Sequence, residues 1–325
     1  MRILRFALRR AGRGVLTLLA VTLLTYLMID WSIDGGQASV VLGTCPRDAA
    51  DGFCGAIVDK YRLDQPVVMR WLGWLGDAVQ GDLNRTDIGD REVTEIIRSL
   101  GPVTAQVALS VIGLALLMAI PLGMYSAARN GSRRAAAVDI GVQVAQTVPV
   151  FVTGLAAIWI FAEWLGLLPA AGWTRPTASL TGNFERALLP VTTLAFAEVA
   201  SFARVLRADL VEVLRQDYIQ AARVRGLSNT RIMFRHALRP GSFGLMTVIG
   251  LNTTNLLGGA VIIEKVFALP GLGAELFDGI LARDLYLVLG ITLYLGIVTI
   301  TIGAIVDVLY QWLDPRVTPE LSRQR

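Results

Sequence analysis

The side chains that most often carry chemistry are scarce in this chain: one histidine, His236, two cysteines, Cys45 and Cys54, and two lysines, Lys60 and Lys265. A Ser/His/Asp or Cys/His nucleophile would have to use His236, which sits in an arginine-rich stretch far along the chain from either cysteine. So few nitrogen and sulfur ligands argue against zinc or haem. No GxxxxGK[ST] loop is present, so the chain cannot hydrolyse ATP by that route. It reads as non-enzymatic, holding no metal or cofactor of its own. What remains is contact chemistry, from polar groups set inside apolar runs. Asp139, Gln143, Gln146 and Thr147 share one helical face, Glu198 stands alone, and Asn252, Thr253, Thr254 and Asn255 follow one another. Such groups either line a passage for a polar solute or tie helices together by hydrogen bonds. An ionised Glu198 inside lipid costs several kcal/mol unless paired or wet. Arg204 and Arg207 are its nearest basic neighbours in the sequence. For Asp307, packing near the membrane interface is favoured over a proton relay.

The elements that must position these groups follow from composition. Of 325 residues, 54% are apolar and only 17% charged, which is membrane-protein usage rather than that of a soluble fold. Six apolar runs are long enough for a hydrocarbon core: 13–32, 103–128, 137–163, 187–206, 241–263 and 288–313. Helix is the expected spanning form, because lipid offers no partner to open backbone groups and the runs lack strand alternation. The first run is Arg-led but too long for a signal core and shows no cleavage pattern after it. The expectation is an all-α integral membrane protein with six transmembrane helices and one domain, 1–325, its spans surrounded by lipid.

Orientation follows from arginine and lysine. Nineteen of the 30 fall at the N-terminus, between runs two and three, between runs four and five, and at the C-terminus, which places those segments and both termini inside. The same basic residues flank apolar runs instead of covering a soluble face, so nucleic acid is not expected as a partner. Residues 33–100 then form an extracytoplasmic loop holding "CPRDAADGFC". An oxidising compartment favours a Cys45–Cys54 disulfide, contributing about 2 to 3 kcal/mol by chain entropy, against the alternative of two free thiols.

The inside connection at 207–240 is far longer than two neighbouring spans require. Leu210, Val213, Leu214, Asp217, Ile219, Ala221 and Val224 form an imperfect stripe at helical spacing. Gly226 permits a positive φ, Ser228 or Asn229 can cap a new helix, and Ile232, Met233 and Leu238 give a second stripe before Pro240. Two short helices around a glycine elbow are expected. Small Ala221 and Ala222 would let another surface approach the backbone.

"QAARVRG", Gln220 to Gly226, resembles the EAA-x-x-x-G signature of permease subunits of ATP-binding-cassette importers, with Gln220 in place of the glutamate. The likeness is closest to the dipeptide and oligopeptide subfamily. It extends to "ILRFALRRAGRGVLTLLAVTLL", "YRLDQPVVMRWLGWLGDAVQGDLNRT", "LLPAAGW", "RADLVEVLRQDYIQAARVRGLS", "LGGAVIIEKVFALPGLG", "RDLYLVLG" and "VDVLYQWLDPR". The departures are "DGGQ" where the family has Pro-Gly-Asp-Pro, Tyr286 in place of a proline, and an early Pro240. The resemblance implies a type I importer permease fold whose coupling helix, through Asp217, Tyr218, Gln220, Ala221, Ala222, Gly226, Leu227 and Ser228, docks on an ATPase. It implies a second homologous permease, two cytoplasmic ATPase domains carrying ATP and Mg, an external solute-binding protein and a peptide cargo. Nickel, haem or glutathione would be alternative cargoes, and a secondary transporter or channel working alone is the rival class. In the resembling family the region of Glu264, Phe267, Pro270 and Gly271 lies near the outer gate and the binding protein. Gln143, Gln146, Thr147, Glu198, Asn252 and Asn255 are the candidates for lining the passage.

Overall fold

A computed structural model of the chain describes residues 2–32, 62, 65–87 and 89–313, without the side chains of 2–11, 254, 255, 257 and 307–313. Cys45 and Cys54 lie outside the described residues, as do the side chains of Asn255 and Asp307. Among those described, the chain is helical, with one isolated bridge between Arg85 and Glu92. The helices are α1 (Arg2–Ser32), α2 (Val67–Val79), α3 (Val93–Ala128), α4 (Arg133–Thr147), α5 (Val150–Ala157), α6 (Leu180–Val213), α7 (Asp217–Val224), α8 (Asn229–Ile232), α9 (Phe243–Val266), α10 (Leu272–Ala282) and α11 (Leu285–Leu313). A π-helical stretch, Ile158–Trp164, prolongs α5, and another, Met233–Ala237, prolongs α8.

Four helices are long and apolar enough to cross a membrane singly, those holding Gly12–Trp31, Val93–Ala128, Leu180–Val213 and Leu285–Val306. Two bent pairs bring the number to as many as six where each pair counts as one span: Arg133–Thr147 with Val150–Trp164, and Pro240–Thr253 with Gly258–Val266. The third apolar run, expected as one helix, is thus broken by 99°. Pro149 has no N–H to donate and its ring keeps Val148 out of the helical region, so Val148 is extended at ψ 123°. Helices also outrun the hydropathy. Helix α3 starts at Val93, ten residues before its apolar run, because Val93, Ile96 and Ile97 are buried at helical spacing while Glu95 and Arg98 stay exposed.

The chain divides into two compact units, Met1–Pro102 with Gly271–Ile300, and Val103–Pro270 with Thr301–Arg325. The first has a core of Tyr26, Trp71, Trp74, Ile96, Leu285 and Leu289. Helix α2 is fastened to α1 by a buried ion pair, Arg70 Nη2 donating to both Asp30 oxygens at 3.1 and 3.2 Å. The Tyr26 ring lies 5.8 Å from the same guanidinium, and Trp71 Nε1 donates to Thr22 Oγ1. Asp284 caps α11: its carboxylate accepts from the N–H of Leu287 at 3.1 Å and of Asp87 at 2.7 Å. Tyr286, at the position where the resembling family has proline, is buried beside it.

In the second unit α6 is central and packs against α4, α5 and α9, burying Leu194, Phe202, Leu206 and Leu210. Gly123 of α3 meets α6 so closely that a Cβ there would stand 3.1 Å from the Ala203 carbonyl.

Removing one partner of a buried ion pair leaves the other charge uncompensated. Asp30→Ala should cost about 3 to 5 kcal/mol, and the double variant Asp30→Ala/Arg70→Met should recover most of it. Thermal unfolding in detergent, followed by tryptophan emission, reads both; equal losses in the two variants would show that the pair itself is not what fastens α2.

Candidate functional site

Two groups of residues in the second unit answer to the sequence expectations. The first is the elbow. Helix α6 ends at Val213, the turn Leu214–Gln216 follows, and α7 begins at Asp217. The expected continuous stripe from Leu210 to Val224 therefore belongs to two helices with different faces. Leu210 is buried against α6's neighbours, Ile219 and Ala222 face inward from α7, and Val224 is 88% exposed.

Gly226 ends α7 at φ +79°. The N–H of Gly226 donates to the Arg223 carbonyl at 2.9 Å and that of Leu227 to the Ala222 carbonyl at 3.3 Å, the two bonds of a Schellman cap. A Cβ at Gly226 would meet nothing within 4 Å, so glycine is demanded by the backbone and not by crowding. Ser228 then caps α8 by accepting from the Arg231 N–H. Ile219, Ala222 and Ile232 close a small core flanked by Leu214 and Leu227. The Tyr218 hydroxyl donates to the His236 carbonyl at 3.4 Å, and partial burial raises its pKa, keeping it the donor.

Of the expected docking residues, Asp217, Tyr218, Gln220, Ala221, Gly226 and Ser228 are exposed, Leu227 is half-buried, and Ala222 is buried. Ala222 is thus a correction: it is small because it faces Ile232 inside the hairpin, not to admit another surface. The bare face of α7 consists of Tyr218, Ala221, Val224 and Arg225, of which Val224 and Arg225 were missed. Counting back from the glycine cap, which fixes the last turn, would have found them. Gln220 and Arg223 instead border a cleft of about 770 Å³ shared with Tyr125, Arg215, Met233 and Phe234.

Both ends of the elbow return to α6. Leu214 packs against the α6 core and the elbow core alike. Beyond the hairpin, a Cβ at Gly241 would stand 2.7 Å from Leu210 Cδ2, and Asp209 accepts from the Gly244 N–H at 3.1 Å, capping α9.

The second group lies between helices. Glu198 Oε2 accepts from Asn252 Nδ2 at 2.8 Å, and the same amide donates to Ser201 Oγ at 3.1 Å. Arg207 pairs with Asp139 at 2.9 Å, and Ser126 Oγ donates to the same carboxylate at 2.9 Å. Arg204 and Arg207 could reach Glu198 only if α6 bent; Arg207, nine residues along the helix, pairs instead with Asp139 of α4, and an amide from α9 serves Glu198. Gln143 lines a cavity of about 50 Å³ with Asp139, Arg204 and Arg207. Gln146 is half-buried, and Thr147 turns its hydroxyl back to the Val144 carbonyl at 2.8 Å. Ser201 was missed, since a lone serine in an apolar run carries no signal until its partner is known.

The gate expectation needs correction in part. Glu264 is wholly buried and accepts from Thr104 Oγ1 at 2.7 Å. Phe267 is 1% exposed, its carbonyl accepting from the Gly172 N–H at 2.9 Å, so the "LLPAAGW" segment seats on the end of α9. Gly271 is buried, which leaves Pro270 as the exposed member of the four. A polar side chain in a motif reads as a contact residue; here it closes a helix pair.

The family described as "Binding-protein-dependent transport system inner membrane component" matches residues 119–319. Among curated proteins, the oligopeptide transport system permease protein OppB of Salmonella typhimurium is 30% identical, covering 97% of this chain and 99% of that one. OppB of Haemophilus influenzae is 34% identical over 79% of this chain and 83% of its own. AppB of Bacillus subtilis, also an oligopeptide transport system permease protein, is 29% identical over 96% and 98%. Among solved structures, an inward-facing MetNI methionine ABC transporter aligns with TM-score 0.56 at 15% identity, covering 67% of this chain and 96% of that chain, a likeness of fold.

Gly226→Ala should cost about 1 kcal/mol through its left-handed backbone alone, and Gly226→Asn less. Tryptic nicking at Arg223 and Arg225 should quicken in the same order; equal rates in all three would show that the cap does not hold the elbow.

Proposed function

We propose, for a chain that belongs to the family of binding-protein-dependent transport system inner membrane components, that it forms half of the passage of an ATP-driven peptide importer and is moved through its elbow. It is a multi-pass membrane protein by its helices and its family. Peptide cargo is supported by relatives that match nearly end to end and are oligopeptide permeases. The second permease, two ATPase subunits and an external binding protein are the partners we assign.

The observation that carries the reading is the elbow's construction. Its three buried side chains hold the hairpin, leaving Tyr218, Ala221 and Val224 exposed on α7, in a segment that also exposes Arg215, Arg223, Arg225 and Arg231. Isolated exposed apolar side chains are ordinary, but a contiguous patch on a rigid hairpin suits a docking face. An ATPase gripping this face would displace a body tied to α6 at both ends. Helix α6 packs on α4, α5 and α9, so the same movement reaches Glu198–Asn252 and Asp139–Arg207. Nucleotide binding thereby shifts the population between inward-open and outward-open arrangements, with the chain itself making and breaking contacts only.

Val224→Asp and Ala221→Arg place charge on the bare face without touching the hairpin core. In the reconstituted importer, ATP-driven peptide uptake should fall about tenfold or more, the loss of roughly 1.4 kcal/mol at the contact, with the thermal midpoint of the chain unchanged. Unaltered uptake would remove the docking role. Uptake by the isolated chain, driven by an ion gradient without nucleotide, would instead favour a transporter working alone. Ala222→Asp is not an equivalent probe, since it buries a charge inside the hairpin.

A further inference from the structure

Helix α2, thirteen residues long, falls between the two membrane helices α1 and α3, in the segment that topology alone makes an extracytoplasmic loop. It is apolar on both sides. One face buries Trp71, Trp74 and the paired Arg70 against its own unit. The other carries Val68 (52% exposed), Met69 (60%), Leu72 (50%), Gly76 and Val79 (83%), with no ionisable group among them.

Its depth follows from its partners on α1. Arg70 reaches Asp30, beside the end of the apolar stretch Gly12–Trp31, but Trp71 bonds to Thr22, nine residues before Trp31. At 1.5 Å per residue the two consecutive side chains touch α1 from about 1.5 to about 14 Å before Trp31, which sets α2 alongside the last turns of that apolar stretch. The face of α1 under α2 is Thr22, Tyr26, Ile29 and Asp30, all buried. On the neighbouring arc of the same turns, Leu24, Met28 and Trp31 are bare, as befits a span whose apolar window is only 17% buried. The helix has two charges, both paired and both away from its bare face: Arg70 is neutralised by Asp30 and lies over the Tyr26 ring, and Asp77 near the C-terminal end accepts from Arg62 at 3.0 Å. Thirteen residues are too few to cross, while exposed Gln65 and Gln80 at the two ends return the chain toward water.

We propose that α2 is an intramembrane helix that does not span, lying among the acyl chains of the leaflet at which α1 ends, with Val68, Met69, Leu72 and Val79 against lipid tails. The occupant of its bare face is lipid, because α2 packs along the apolar stretch of α1, where Trp71 bonds to Thr22, and its bare face carries no polar group with which a protein partner would be oriented.

The test uses the full chain purified with its associated subunits, carrying Cys45→Ser and Cys54→Ser, in lipid nanodiscs. Nitroxide labels go singly on Leu72→Cys, Val79→Cys and, as the aqueous reference, Asp82→Cys. Oxygen should out-collide a water-soluble nickel chelate at positions 72 and 79, and the order should reverse at 82. The chelate prevailing at 72 and 79 would place the helix in water and overturn the proposal. Exclusion of both reagents would show a protein covering the face and overturn it as well. Hydroxyl-radical footprinting of the unaltered protein gives an independent reading: Met69 should be as protected in nanodiscs as Met28, and rapid oxidation at Met69 alone would count against immersion.

Discussion

A backbone that enters hydrocarbon must satisfy its own hydrogen bonds, and the architecture of this chain is largely what that demand allows. Unbroken helix is the direct answer, and α3, α6 and α11 give it. Interruptions occur where the freed groups are taken up nearby. At the Pro149 break, the proline carbonyl accepts from the N–H groups of Val152 and Thr153 and from the Thr153 hydroxyl. Helix ends follow the same rule. The carbonyls at the end of α9 are closed by Ala268 and Leu269, with Ala268 at φ +49°, a left-handed cap built without glycine. Its counterpart at Gly226 has the lower-strain residue for the same geometry.

Polar side chains obey a related logic. Four carboxylates in the helices of the second unit have donors: Thr104 for Glu264, Asn252 for Glu198, Arg207 and Ser126 for Asp139, and the Gly244 N–H for Asp209. Only some of these contacts can be passage and some are framework, and burial separates them. Glu264 is sealed in, whereas Glu198 and Asn252 are half-buried and Gln143 is exposed beside a small cavity. A contact that is partly wet can be exchanged for solute or for a different helix pairing with little penalty, and one that is sealed cannot.

Much of this was legible from the residues. The apolar runs, the elbow at Gly226 and a cap at Ser228 or Asn229 follow from composition and turn chemistry; the structure has the elbow, uses Ser228 as the cap, and has four single spans, or up to six where each bent pair counts as one. Helix ends were not legible, because hydropathy reports the lipid-facing length and α3 continues for ten residues on a buried stripe of Val93, Ile96 and Ile97. Partner choice was equally hidden. Arg204 and Arg207 are the basic residues nearest Glu198 in the sequence, but which helix lies beside which is a tertiary matter, and α9 supplies an amide. Ala221 and Ala222 look alike on paper, yet a rotation of 100° between them puts one on the surface and the other inside. Glu264 was misread for the opposite reason: its motif suggested display, and the fold uses it as a fastener.

Apart from Tyr218, whose hydroxyl ties α7 to the His236 carbonyl, the elbow keeps what folds it separate from what it exposes. Ile219, Ala222 and Ile232 maintain the hairpin; Tyr218, Ala221, Val224 and Arg225 do not contribute to that cluster. Substitutions at the outer positions therefore leave the inner support in place, and changing those few side chains is a smaller step than exchanging whole segments. Divergence across such a lineage should concentrate on the display set, with the three inner positions drifting only among residues of similar bulk.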